Sequence, residues 1–377
     1  VQKILMVTKI ENPNGSKIRE VTRVLSPGTV IEEYNKKDNT GNNVISIVFN
    51  KGKDPSTKKP IYIAGLSIID FSTGTSFCSQ IESTPQDNKL WLDECFRIIH
   101  SYSPKELILC ISRDIKDTEK LFTKDNLVKE FNCKDMLLHY IPKIPDKYYK
   151  PTVINELLNK IYPNNTSHSI VDYLDLTINE ESRTSFVYLL QFAFEHDRTI
   201  IEKIKKPINE LSSDLAVLSS NALHQLDIVS PTNSFCLMNL LNKCSTQMGK
   251  RNFQYTLLHP TTNIEKLNGR YDNIERLQKK DKDNNYICKK LHKDLKSIID
   301  TEKIQRRIGL MRCHPQEMGG IMLSYSFFKD IVDYVLPYTP KLCGISQPPF
   351  LKNFNKLIDH LNNIFNRNEL IKYNTIN

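Results

Sequence analysis

Apolar residues follow two different periods along this chain. Up to about residue 165 they come in short β-branched or aromatic runs broken by Gly, Asp, Pro and Lys; beyond it they recur three or four positions apart. The first period predicts strands over 1–8 and 18–25, with the turn signal of residues 11–16 between them and Pro27-Gly28 as the stop. Runs at 44–49, 61–70 and 75–81 then predict an antiparallel meander. Residues 86–102 carry Leu90, Trp91, Cys95, Ile98 and Ile99 at helical spacing and end before Pro104. Further strands are expected over 106–111 and 136–141, with a helix over 115–131 between them.

Residues 142–163 are rich in Pro, Lys and Tyr, and 163–167 are polar, so a domain boundary is expected there. Past it the pattern is helical. Phe186, Leu189, Leu190, Ala193 and Phe194 form one stripe within 182–195, and Ile200, Ile201 and Ile204 extend it to the Lys206-Pro207 break. Helices are predicted over 212–228, 235–241, 250–259, 264–279, 288–312, 324–335 and 353–371. The expected fold class is thus multidomain, α/β followed by all-α. The expected division is 1–34, the tail of a domain entered in mid-element without an initiator Met; 35–165, a layered α/β domain; and 166–377, a helical domain.

Composition narrows this picture without changing it. A chain of 377 residues with 39% hydrophobic and 25% charged residues has enough apolar matter for several cores. No apolar run reaches the roughly 18 residues of a membrane span, and no charged-then-apolar leader opens the sequence, so an intracellular protein is expected. Whether it is cytoplasmic, nuclear or virus-associated is left open. Nine cysteines without a regular spacing or a Cys-x-x-Cys pair argue for buried reduced thiols rather than a disulfide framework. The net charge of +9 permits a polyanion partner. Its local clusters at 203–206, 279–293 and Arg306-Arg307 are mixed with acids or lie on helices, and read as solvated helix faces.

One stretch is more specific. Thr246-Gln-Met-Gly-Lys-Arg251 leads into a helix with Phe253, Leu257 and Leu258 on one face, Pro260 stops it, and Arg270-Tyr-Asp-Asn-Ile-Glu-Arg-Leu277 opens a second helix. Gly249 is expected at a sharp turn entering the first helix. This stretch resembles the core of the MutS mismatch-repair proteins, and other segments resemble that family in the same order. Ile18 to Thr29, containing Pro27 and Gly28, is similar to the end of the mismatch-reading domain. Residues 61–81, with Asp70-Phe-Ser-Thr-Gly74, are similar to the opening hairpin of the connector domain. Residues 218–228 are similar to the start of the core, with Gln225 and Asp227 where Asn and Glu are usual. Residues 300–310, containing Arg307, resemble its Asp-Leu-Glu-Arg helix, with Thr301 and Lys303 as departures.

The resemblance implies an RNase H-like connector, whose order of three antiparallel strands followed by alternating helices and strands matches the predicted one, and then a MutS-like helical core. It also implies double-stranded DNA and a MutL-type protein as partners, a homo- or heterodimer, and ATP with Mg²⁺ as cofactors of the complete protein. This chain itself is expected to hold no cofactor. None of its sixteen Phe residues begins the family's Phe-x-Glu mismatch wedge, and no Gly-x-x-x-x-Gly-Lys-Ser/Thr phosphate loop occurs. The landmarks Pro27, Gly28, Asp70, Gly74, Met248, Gly249, Pro260 and Arg307 are therefore expected to be structural, with no catalytic, cofactor or metal residue among them.

Two other readings stay open. One is a nucleic-acid-binding or scaffold protein of the same descent that does not repair mismatches. The other is a degenerate RNase H-like nuclease, because Asp70 stands where a first metal ligand belongs and Glu106 opens a later strand. One carboxylate cannot hold two metals, however, and Asp70 is expected to accept turn hydrogen bonds from the Thr73 and Gly74 amides. His224, His259 and His292 lie on predicted helices in surface or core roles.

Overall fold

The computed structural model describes residues 4–11, 17–31, 41–54, 58–84, 86–115, 119–134, 136–163, 169–209, 216, 220–228, 235–339, 348–366 and 369–370. Most of the predicted 163–167 hinge, and residues 212–215 and 217–219 of the predicted 212–228 helix, lie outside them. The chain forms two compact units, residues 1–212 with 217–229, and 213–216 with 230–377.

In the first unit, β1 (Ile4–Glu11) and β2 (Lys17–Leu25) make an antiparallel hairpin with an irregular register between Met6 and Val7. A six-stranded mixed sheet follows, built from β3 (Asn43–Lys53), β4 (Pro60–Asp70), β5 (Thr75–Glu82), β6 (Glu106–Ile111), β7 (Leu137–Ile141) and the short β8 (Ile208–Asn209). Its order is β7-β6-β3-β4-β5-β8; β3, β4 and β5 are the predicted antiparallel meander, while β6 and β7 extend it in parallel from β3. Alternate strand residues point to opposite faces. Ile45, Ile47 and Phe49 of β3, with Leu107, Leu109 and Ile111 of β6, thus meet α1 (Leu90–Tyr102) and α2 (Lys124–Glu130). Phe49 is the centre of that layer, with the rings of Trp91, Phe122 and Phe131 at 5.4, 6.1 and 6.0 Å. The single helix expected over 115–131 is a 3-10 turn at Lys120–Phe122 followed by α2, because Thr123 is extended between them.

The opposite face of the sheet is covered by a helix that the sequence places elsewhere. After α3 (Pro151–Ile161) and α4 (Ile170–Tyr173) comes α5 (Glu180–His196). It lies beyond the expected boundary at 165, yet it packs on β3 and β4. Ser185 Oγ donates to the Ser46 carbonyl at 2.8 Å and lies 2.8 Å from Ser67 Oγ, and Ser182 Oγ donates to the Leu66 carbonyl. A Cβ on Gly65 would fall 2.1 Å from the Glu181 carbonyl carbon, so only glycine admits the helix at this distance. The α/β unit therefore runs past residue 200 instead of ending at 165. The Pro-rich stretch is part of it too: Pro151 occupies the first turn of α3, where a missing N–H costs nothing, and Ile154, Leu157, Leu158 and Ile161 are buried.

The unit ends with α6 (Ser220–Gln225). The second unit is helical: α7 (Leu237–Leu241), α8 (Gln247–Leu258), α9 (Ile264–Leu277), α10 (Ile287–Leu295), α11 (Thr301–Gly309), α12 (Pro315–Val335) and α13 (Pro348–Ile364). The one long helix expected over 288–312 is two, because Asp300 caps a new start at α11. Ile287, Ile304, Ile321, Met322, Val332 and Val335 supply the buried side chains where α10 and α11 meet α12. Tyr325 and Phe328 of α12 join α13 through Phe354, at 5.6 and 5.4 Å between ring centres. Among the described residues no helix is long and apolar enough to cross a membrane.

Candidate functional site

The most specific stretch of the sequence opens α8. Thr246 is its N-cap, and the Thr246 hydroxyl oxygen accepts the Gly249 amide at 3.0 Å, satisfying one of the four amides that a helix start leaves without a partner. Gly249 is consequently the third residue inside the helix, and the expected sharp turn at Met248-Gly249 is not there. Glycine is required for space: a Cβ would lie 2.9 Å from Thr246 Oγ1 and 3.3 Å from Cys244 Cβ. Met248 turns the other way, its sulfur accepting the Thr301 hydroxyl at 3.2 Å.

Arg251, one turn on, ties the two most widely separated landmarks of the helical unit together. Its guanidinium donates to Asp300 at 2.6 and 2.9 Å and to Glu302 at 2.7 Å, across 49 and 51 residues of sequence. Asp300 is also the N-cap of α11, accepting the Lys303 amide. Burial alone tends to raise the Asp300 pKa, but the Arg251 hydrogen bonds and charge overcome it and hold the carboxyl below its ordinary value. A second joint repeats the pattern. Arg307 of α11 is paired with Glu317, whose side chain is 2% exposed and whose Oε2 accepts the His314 amide at 3.1 Å, closing the start of α12. Pro260 follows the end of α8, and its carbonyl accepts the Ala216 amide at 2.8 Å. The landmark segments at 246–251 and 300–302 thus meet, whereas Pro260 and Arg307 make other contacts.

In the α/β unit the Pro27-Gly28 segment closes over a residue that the sequence showed only as an acid at a strand start. Glu106 is fully buried; its Oε1 accepts the Ser26 hydroxyl and, at 2.8 Å, the Gly28 amide, while its Oε2 is 2.9 Å from His139 Nε2 on β7. A Cβ on Gly28 would stand 2.4 Å from Val44 Cγ2, so Pro27-Gly28 is a place of close approach over the sheet. Burial pushes the Glu106 pKa up, but the bonds from His139, Ser26 and Gly28 together hold it below the ordinary value. Asp70 differs in detail from expectation. The Thr73 and Gly74 amides reach its backbone carbonyl, while its carboxylate takes the Ser72 amide at 2.9 Å, the Ser72 hydroxyl at 2.6 Å and the Asn42 amide at 3.2 Å. Gly74 completes the turn with φ 71°, the one glycine of left-handed conformation among the described residues.

Asp70 and Glu106 lie near one end of the sheet, since Asn43 pairs with Asp70 and Val44 with Glu106. Donors of the chain itself engage both carboxylates. No group of three His, Cys, Asp or Glu side chains suited to a metal ion occurs among the described residues. Of the predicted buried thiols, Cys78, Cys95 and Cys110 are enclosed in the α/β unit, where burial raises their pKa values. The signals that could have disclosed Glu106 and Asp300 are weak in a single sequence: one is an acid opening an otherwise apolar strand, the other an Asp preceding a helix.

These joints between helix starts lie in a segment that has known counterparts: residues 221–372, about two-fifths of the chain, match the family model described as MutS domain III. The match begins within α6 and takes in the whole run from α7 to α13. Similarity extends over the rest of the chain as well. A DNA mismatch repair MutS homologue of Acanthamoeba polyphaga mimivirus is 26% identical over 79% of this chain and 28% of its own. The DNA mismatch repair protein MutS of Halothermothrix orenii is 26% identical over 95% of this chain and 36% of its own, and that of Clostridioides difficile is 25% identical over 97% and 34%. Residues 221–372 are thus similar to MutS domain III, and most of the chain is similar to DNA mismatch repair MutS proteins. It spans about a third of the length of the curated relatives it matches.

Proposed function

We propose that this chain serves a MutS-type mismatch repair protein as a non-catalytic relay. In this reading residues 1–34 are the end of the mismatch-reading domain, the rest of the α/β unit is the connector, and the helical unit is the first part of the core. The carrying observation is the collinear similarity to bacterial MutS over 95–97% of the chain. The strand order β5-β4-β3-β6-β7, with helices on both faces, supports an RNase H-like connector. The engagement of Asp70 and Glu106 by hydroxyl, amide and imidazole groups favours a scaffold descended from that fold over a nuclease.

In this scheme ATP and Mg²⁺ act at a site outside these 377 residues, which contain no phosphate loop, and mismatches are read by an element outside them. The α/β unit offers a surface to a MutL-type protein, and the assembly is a homo- or heterodimer. The Arg251–Asp300 joint suits a relay, because two helix starts locked by a fork of hydrogen bonds move as one body. The purified chain is expected to hydrolyse no ATP, to cleave no DNA with Mg²⁺, and to cross-link to a MutL-type protein through lysines of the α/β unit. Cleavage lost on Asp70→Asn, or cross-links confined to the helical unit, would reject the assignment.

A further inference from the structure

The helical unit sorts its charges in a way the sequence does not disclose. Between Arg276 and Lys296 stand eight Lys and Arg against three Asp, so this short stretch carries more than half of the chain's net charge of +9. Read as a string, the stretch around Lys280-Asp-Lys-Asp283 is mixed. In the structure Asp281 is turned into its own loop: its Oδ1 accepts the Asp283 and Asn285 amides at 3.0 and 2.9 Å, and its Oδ2 accepts the Tyr334 hydroxyl at 2.8 Å. The loop is closed by pairing of Lys280 with Tyr286 and by a left-handed Asn284, and Lys282 is exposed at its tip.

The α10 helix continues the pattern. Ile287, Leu291 and Leu295 form its apolar stripe, with Ile287 fully buried. At 100° per residue, Lys289, Lys293 and Lys296 fall within about 60° of one another on the opposite side. All three are exposed, and no ion pair to any of them occurs among the described residues. The ammonium groups of Lys280 and Lys289 lie 5.3 and 5.1 Å from the centre of the exposed Tyr286 ring, which draws these two cations together.

We propose that this face, Lys280, Lys282, Lys289, Lys293 and Lys296, is a docking surface for the phosphate backbone of duplex DNA. Lys289, Lys293 and Lys296 run about 10 Å along the helix axis, a length over which a duplex presents about six charges. The surface has ammonium groups and few acceptors, so it contacts phosphates without reading bases. The choice of DNA over another polyanion rests on the mismatch-repair reading; the charge sorting itself does not.

The test uses the full chain and a fluorescent 20-base-pair duplex at several salt concentrations. One triple variant carries Lys289→Gln, Lys293→Gln and Lys296→Gln. A charge-matched control carries Lys124→Gln, Lys129→Gln and Lys134→Gln at exposed positions of the α/β unit. Equal thermal melts establish that both variants are folded. The expected result is a loss of at least tenfold in affinity and a salt slope shallower by about 2–3 for the first variant, against less than twofold for the control. Equal losses in both variants, no loss in the first, or no binding by the parent chain overturns the proposal. So does a parent chain that prefers anionic phospholipid vesicles to duplex at equal salt. Any of these leaves the family reading intact, because that reading is tested by nucleotide hydrolysis, cleavage and partner cross-linking.

Discussion

Arg251 and Asp300, 49 residues apart in sequence, form a two-pronged ion pair at 2.6 and 2.9 Å that joins the second turn of α8 to the cap of α11. Each partner has a side chain only 17% exposed, so the pair is shielded from water. Arg251→Lys keeps the charge but loses the planar fork, and is expected to cost about 1.5–3 kcal/mol, the range for hydrogen bonds to charged groups. Urea unfolding of the helical unit measures it. An Arg251→Lys chain as stable as the parent would show that the fork contributes only position.

Two glycines of the helical unit should respond in opposite directions. Gly249→Val drives a Cβ against the Thr246 cap, and a loss on the order of 1–2 kcal/mol is expected, confined to the helical unit. Gly269, inside α9, has open space around its Cα, so Gly269→Ala should stabilise by roughly 0.5–1 kcal/mol through helix propensity. Differential scanning calorimetry of both variants shows whether the signs differ as stated.

The acid limb of stability should depend on Glu106. Its folded-state pKa is held below the ordinary value, so its contribution is fully present above the ordinary carboxylate range and is lost as pH falls through and below that range. Glu106→Gln should therefore flatten the stability profile of the α/β unit below about pH 5 while lowering it at neutral pH. A profile parallel to that of the parent chain would contradict this.

Glu181 works in the reverse sense. Burial at the start of α5, opposed by the Asn50 hydrogen bond and reinforced by Glu180 and Asp114, pushes its pKa up to about 7. The folded state then holds the proton more tightly than the unfolded one, so stability declines as pH rises from the ordinary carboxylate value towards 7. Glu181→Gln retains an acceptor for Asn50 and should raise stability at pH 8 by on the order of 2 kcal/mol while changing little at pH 4. Chemical denaturation at the two pH values gives the comparison.

Local pattern alone determined the meander of β3, β4 and β5, the strands β6 and β7, the α1 helix and most helices of the second unit, because period and stop residues act within a few positions. The order of family-like segments along the chain was equally legible, since order is a property of the sequence. Tertiary structure decided what touches what. Helix α5 reads as part of the helical domain until Ser182, Ser185 and Gly65 are seen to admit it against the sheet, a contact made by small residues that hydropathy does not assign to a core. Gly249 reads as a sharp turn until the Thr246 cap shows it within the first turn of a helix. Glu106 and Asp300 acquire their roles only from Gly28, His139 and Arg251, partners 33 to 78 residues away whose approach no local periodicity encodes, because the hydrogen bonds that fix them form only once the cores have closed.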